Sequence, residues 1–390
     1  MNHCKACGST AMREVLDVGP VPTSSMILVE NEETARDWPI GRLRLTMCEA
    51  CAFIQNDHFD PNLIDYTMPY EESQASSPTF QRFAKDLIEH LNEAFDLDEA
   101  TILEVGCGKG EWLAMACNQL DAKGIGIDPA YLPGRIPEED LDRLEFIVDF
   151  FDSEYAKELT GDLVATRHTL EHIDEVLTFT RWLHTAAAST PGSGLFIEVP
   201  DTTRILREGA FWDVYYEHCS YFTSPSLAGL MARAGFGDID VRLGYSDQYL
   251  LATGRPPGNP ERAPAPIDAV IEDAERFSQN AAETVQYWRA IVESQWSAGH
   301  PTVLWGAGSK AVGFLSSIGV PVTAAVDINP FKQGHYLPGS GLAVLAPEEL
   351  RRIDPELVIV MNPIYETEIS DMVASIGLHP RFQSVAVVGT

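Results

Sequence analysis

Three glycines at alternate positions, preceded by an acid, constrain this chain more than any other stretch. The segment reads Glu104-Val105-Gly106-Cys107-Gly108-Lys109-Gly110 and follows the apolar run Ile102-Leu103. Glycine is needed where backbone turns sharply and a ligand approaches without a Cβ in the way. The helix expected next presents free N–H groups at its start. A dinucleotide loop would space its glycines Gly-x-Gly-x-x-Gly, to seat a pyrophosphate. Here the acid repels phosphate and attracts an ammonium group.

Two further strand ends carry acids. Lys123-Gly124-Ile125-Gly126-Ile127-Asp128 is one, and Phe146-Ile147-Val148-Asp149-Phe150 is the other. The set resembles the motifs of class I S-adenosylmethionine-dependent methyltransferases. The resemblance implies that Glu104, Gly106, Gly108 and Gly110 hold the amino acid part of the cofactor. Asp128 would accept from the ribose hydroxyls, Asp149 and Phe150 would lie beside the adenine, and His168 would serve as a cofactor wall or bond to backbone.

With 390 residues the chain is long enough for two or three domains. Its net charge of -31 leaves no basic stripe for nucleic acid. An anionic substrate must therefore meet local cations. The first residues do not read as a secretory signal and no apolar run reaches roughly 18 residues, so neither a leader nor a membrane span is expected. Seven cysteines form no evident disulfide framework, which suits a reducing cytoplasm.

Residues 1–65 carry Cys4-x-x-Cys7 and Cys48-x-x-Cys51. Two equal knuckles read as one structural zinc site of four thiolates, with His3 a less suitable substitute ligand. Between them Asp17–Thr23 reads as a turn-rich connector and Arg42–Met47 as a strand. Residues 66–255 open with a polar, aromatic loop and a helix bearing Phe80, Phe83, Ala84, Leu87, Ile88 and Leu91. Strands are then expected at 101–105, 124–127, 144–148, 163–166 and 194–199, followed by a hairpin over 238–245 and 249–253. Such alternation predicts an α/β fold, a doubly wound sheet. Residues 255–266 are too rich in proline for helix or central strand. Residues 256–300 then read as linker and a long amphipathic helix, its stripe packing between domains. In 301–390 the Gly306-Ala307-Gly308 turn opens a second, smaller Rossmann-like unit.

Three later segments qualify for the substrate side: Arg167–Ile173 after the fourth strand, Glu198–Asp201 after the fifth, and Phe211–Thr223. His172 follows the fourth strand. Further on stands Tyr215-Tyr216-Glu217-His218-Cys219-Ser220-Tyr221-Phe222. Carbon becomes a nucleophile when a base removes a proton beside a carbonyl and a donor steadies the enolate. Histidine can do either. His218 is the expected base, Glu217 orients it or shares its role, and Tyr215 and His172 hold the oxygen.

Zinc knuckles, a methyltransferase core with Glu-His-x-Ser-Tyr-Phe, and a C-terminal unit with Asp327-x-Asn329-Pro330-x-Lys332-Gln333-Gly334 follow one another. Together they resemble the three-domain sugar C-methyltransferases of antibiotic biosynthesis. That resemblance spans essentially the whole chain. It implies C3 methylation of nucleotide-linked 4-keto-2,6-dideoxysugars, with Tyr70 (or Tyr66), His172, Tyr215, Glu217 and His218 lining the active site. The C-terminal unit would bind the nucleotide diphosphate through Lys310, Lys332, Gly306 and Gly308. Familiar members carry Cys-His where this chain has Glu171-His172. Two alternatives stand beside this reading. One is O-, N- or C-methylation of another small metabolite, and the other is a zinc-bearing adaptor without catalysis.

Overall fold

The computed structural model describes residues 3–257 and 266–385. Three sheets organise it. Strands β1 (Met12–Pro22), β2 (Ile40–Cys48) and β3 (Ile54–Asn56) form an antiparallel sheet near the N-terminus. The expected connector at Asp17–Thr23 is mostly strand instead. β1 lies at the sheet edge, where prolines cost no ladder bond, and its register shifts at Glu14/Leu16 and Asp17/Gly19. Its prolines and glycine therefore imitated a turn.

The central sheet contains β4 (Thr101–Val105), β5 (Lys123–Ile127), β6 (Leu144–Ile147), β7 (Leu163–Arg167) and β8 (Gly194–Pro200). These five run parallel. The short β9 (Ser220–Tyr221) leaves this region and pairs with β3. The hairpin of β10 (Gly237–Gly244) and β11 (Tyr249–Arg255) completes the central sheet, giving the order β10-β11-β8-β7-β4-β5-β6. β4, β7 and β8 lie inside this sheet and are almost wholly buried, so they read as apolar runs rather than alternating patterns. All the strand ends that carry loops of interest open on one rim.

The third sheet holds β12 (Thr302–Trp305), β13 (Ala324–Val326), β14 (Tyr336–Leu337), β15 (Leu342–Leu345), β16 (Leu357–Val360) and β17 (Arg381–Ser384). All but β14 are parallel to their neighbours. Residues 258–265, most of the proline-rich boundary, lie outside the described residues. Beyond them the helix Asp268–Ala298 buries Val270, Ala274, Phe277, Ala281, Trp288 and Val292. It packs on the helix Thr202–Glu208, on β1 and on the helix Ser309–Ile318. Its stripe is thus shared by parts of all three regions, in one continuous core.

Candidate active site

The glycine loop connects β4 to the helix Glu111–Gln119. Gly106, Gly108 and Gly110 have φ of +74°, +54° and +75°, where a side chain is strained. A Cβ would also collide with Thr169 at Gly106 and with the Phe146 ring at Gly110. Glu104 is 2 % exposed and its Oε2 has no hydrogen-bond partner. Burial raises its pKa to about 8. A buried oxygen without a donor, beside a loop whose alternate residues carry no side chain, fits an incoming ammonium group. Asp128 sits beneath the loop, accepting from Gly108 N–H at 2.9 Å and Ala130 N–H at 2.7 Å. A carboxylate has about four acceptor sites, so it can still take a hydroxyl. Phe150 lines the cavity. Asp149 is exposed instead, capping Phe150 N–H and accepting from the Tyr155 hydroxyl.

This loop forms one wall of a cavity of ≈ 630 Å³ that also receives residues from the N-terminal region, the 66–77 loop and the C-terminal sheet. Beyond β7 the wall is ionic. Arg167 bonds Glu198 at 2.8 Å, and His168 lies 3.0 Å from Glu198 and 3.4 Å from Glu171. Burial opposes the charge on His168, but Glu171 and Glu198 outweigh it and push its pKa up to about 9. Burial likewise works against Glu198, yet Arg167 and His168 pull it down to about 2. His168 is a charged wall residue of the cavity.

His172 and His218 lie deeper. Their ring centroids are 4.8 Å apart and edge-on, and Tyr215 is 4.2 Å from His218. Donor and acceptor atoms of Glu171, His172 and His218 fall within 4.8 Å of one another. Burial, then the neighbouring His172 and His168, hold His218 well below the usual histidine range. It is therefore an unprotonated imidazole at neutral pH. Tyr66 reaches His172 Nδ1 at 3.4 Å. Both Tyr66 and Tyr70 line the cavity.

Glu217 differs from its expected place. Its Oε2 accepts from Ser25 N–H at 2.9 Å and from the Ser25 hydroxyl. Glu217 sits in a turn and is engaged by Ser25 rather than by the imidazole beside it. The carboxylate facing His218 is Glu171, at 4.0 Å. Burial raises Glu217 to about 7 despite the bonds from Ser25 and Tyr70.

On the opposite wall, Gly306 and Gly308 lead into the helix Ser309–Ile318. Lys310 is bonded to Asp213 at 3.0 Å and Lys332 to Asp327 at 3.4 Å. Both line the cavity, but neither is an unpaired cation. Arg167, Glu171 and Glu198 lie in segments singled out from the sequence but had no role assigned there, and Ser25 was missing altogether. Glu171 was visible in the Glu-His pair. For Ser25 no local signal exists.

At the N-terminus Cys4 and Cys51 sulfurs are 3.6 Å apart, as are those of Cys7 and Cys48. A zinc tetrahedron with bonds of about 2.3 Å has sulfur–sulfur edges of roughly 3.8 Å, so the four thiols fit such an ion. His3 contributes its backbone carbonyl to Gln55.

Two family models match. Residues 79–241 match a methyltransferase domain, and residues 269–378 match the C-methyltransferase C-terminal domain. The C-methyltransferase NovU of Streptomyces niveus is 23% identical over 401 residues, covering 95% of this chain and 92% of that protein. Among solved structures, the 1,6-didemethyltoxoflavin-N1-methyltransferase of Burkholderia thailandensis aligns with 48% of this chain and 80% of its own, at 20% identity and TM-score 0.35. An O-methyltransferase family protein of the same organism aligns with 46% of this chain, which spans 57% of its length, at 19% identity and TM-score 0.35. The adaptor alternative is set aside by the two domain matches together.

Proposed function

We propose that this chain, whose sequence matches a methyltransferase domain and the C-methyltransferase C-terminal domain, is an S-adenosylmethionine-dependent enzyme that methylates carbon beside a carbonyl. The substrate we assign is a nucleotide-linked 4-keto-2,6-dideoxysugar, methylated at C3. The observation that carries this is the cluster of His218, Tyr215 and His172, buried between the cofactor loop and the C-terminal glycine turn.

Glu104 holds the ammonium group of the cofactor, the glycine loop admits its backbone, and Asp128 takes the ribose. Asp149 and Phe150 flank the adenine at the rim. His218, unprotonated, removes the proton from C3. The electron pair of that C–H bond becomes the carbon–carbon double bond, and negative charge moves to the carbonyl oxygen. Tyr215, which burial keeps protonated, and His172 donate to that oxygen. When bound, S-adenosylmethionine would supply a methyl group made electrophilic by its sulfonium, and the enolate carbon prepared by these residues is the matching nucleophile. Gly306, Gly308, Lys310 and Lys332 receive the diphosphate. The lysines are already paired, so backbone N–H groups at the start of the helix Ser309–Ile318 carry much of that work. Cys4, Cys7, Cys48 and Cys51 hold a structural zinc.

One observation favours a second reading. Glu171 beside His218 is the arrangement that strengthens a base toward a hydroxyl, which suits O-methylation of another small metabolite. Incubation of the ketosugar with a 13C-labelled methyl donor decides between them. A labelled methyl signal in the aliphatic range supports the proposal. A methoxy signal, or no transfer, overturns it.

A further inference from the structure

We propose that Ser25 is a positioning residue of the methyl-transfer site, fixing the Glu217 carboxylate and tying it to the C-terminal glycine turn. Ser25 belongs to the N-terminal region, 192 residues from Glu217. It is 3 % exposed, and both its backbone N–H and its hydroxyl give their protons to Glu217 Oε2. With its single hydroxyl proton committed, its oxygen is left to receive the Ser309 hydroxyl, 2.8 Å away. Ser309 opens the helix that follows Gly306 and Gly308 and lines the cavity. One serine thus joins the N-terminal region, the catalytic loop and the C-terminal sheet.

The arrangement leaves Glu217 Oε1 buried and unpartnered. The titratable groups facing Glu217 are phenols: Tyr66 and Tyr70 from the 66–77 loop, and Tyr215 from its own loop. No cation offsets its burial, so the two Ser25 donors, followed by the Tyr70 hydroxyl, are what favour its ionised form. Ionised, Glu217 orients the phenols that line the substrate space. This inference rests on the proposed reading in one respect, that the loop carrying Glu217, Tyr215 and His218 belongs to the methyl-transfer site.

The test uses the full chain with its zinc in place. Infrared difference spectra across pH follow the protonated carboxyl band assigned to Glu217 by its loss in Glu217→Gln. A midpoint near 7 is expected in the native protein. Ser25→Ala should move it up by about one unit, the size of one lost bond to a charged group. Ser25→Thr, which keeps the hydroxyl, should restore it. At pH 7 that shift corresponds to turnover of the ketosugar about fivefold lower, recovering at higher pH with KM little changed. A midpoint unmoved in Ser25→Ala overturns the proposal. The infrared midpoint needs no substrate, so failure of the ketosugar reading leaves this result separately legible.

Discussion

His218 and Glu217 adjoin in sequence and yet serve different neighbours. The imidazole meets His172, Tyr215 and Glu171 in the cavity, while the carboxylate is engaged by Ser25 outside it. His218→Ala should lower kcat by about a thousandfold, within the usual reach of a lost general base, while cofactor affinity by calorimetry stays within about twofold. Undiminished kcat would remove His218 from the mechanism. Glu104 carries a separate prediction. Its raised pKa means that at pH 7 it is largely protonated when the cofactor is absent. An ammonium partner favours the ionised form, so binding should release close to one proton, and affinity should rise with pH toward 8. Glu104→Gln should abolish that release and weaken binding by about 10- to 100-fold. Calorimetry in buffers of different ionisation enthalpy measures both.

At the scale of elements, one device is used twice. Asp128 accepts from Gly108 and Ala130, and Asp327 accepts from Ala307 and Asn329. In each case an acid after the second strand of a parallel unit braces the glycine turn after the first. These turns were legible in sequence because glycine spacing and acid-ended apolar runs are local demands on φ and burial. β1 was not, since its prolines are tolerated only because it is an edge. Ser25 and Glu171 were not, because their roles depend on which loops meet. Packing between elements has its own test. Gly313, in the helix Ser309–Ile318, lies so close to the Phe211–Asp213 turn that a Cβ would sit 2.9 Å from Trp212 O. Gly313→Ala gains helix propensity of up to about 1 kcal/mol but forces a clash costing about 1–3 kcal/mol. A lower melting temperature and reduced kcat are expected, because this turn leads directly to Tyr215.

Across the whole molecule, the N-terminal sheet and the catalytic loop are one structure. β9 follows His218 by two residues and extends the cysteine-bearing sheet, and Phe53 meets Phe222 with ring centroids 5.4 Å apart. The N-terminal region is therefore part of the site rather than an appendage to it. Metal analysis should find one zinc per chain, and complete chelation should lower both melting temperature and turnover. Full activity after chelation would detach that region from catalysis. The acidity of the chain, net -31, agrees with a cavity whose lysines, Lys109, Lys310 and Lys332, are each paired with an acid. Substrate selection then rests on shape and backbone donors more than on long-range attraction. The most direct measurement is hydrogen exchange at C3 of the ketosugar in heavy water, without methyl donor. Deuterium entering C3 with the native protein and failing to enter with His218→Ala is the predicted result. Methyl transfer by the native protein with no such exchange, under conditions where the substrate is bound, would contradict it.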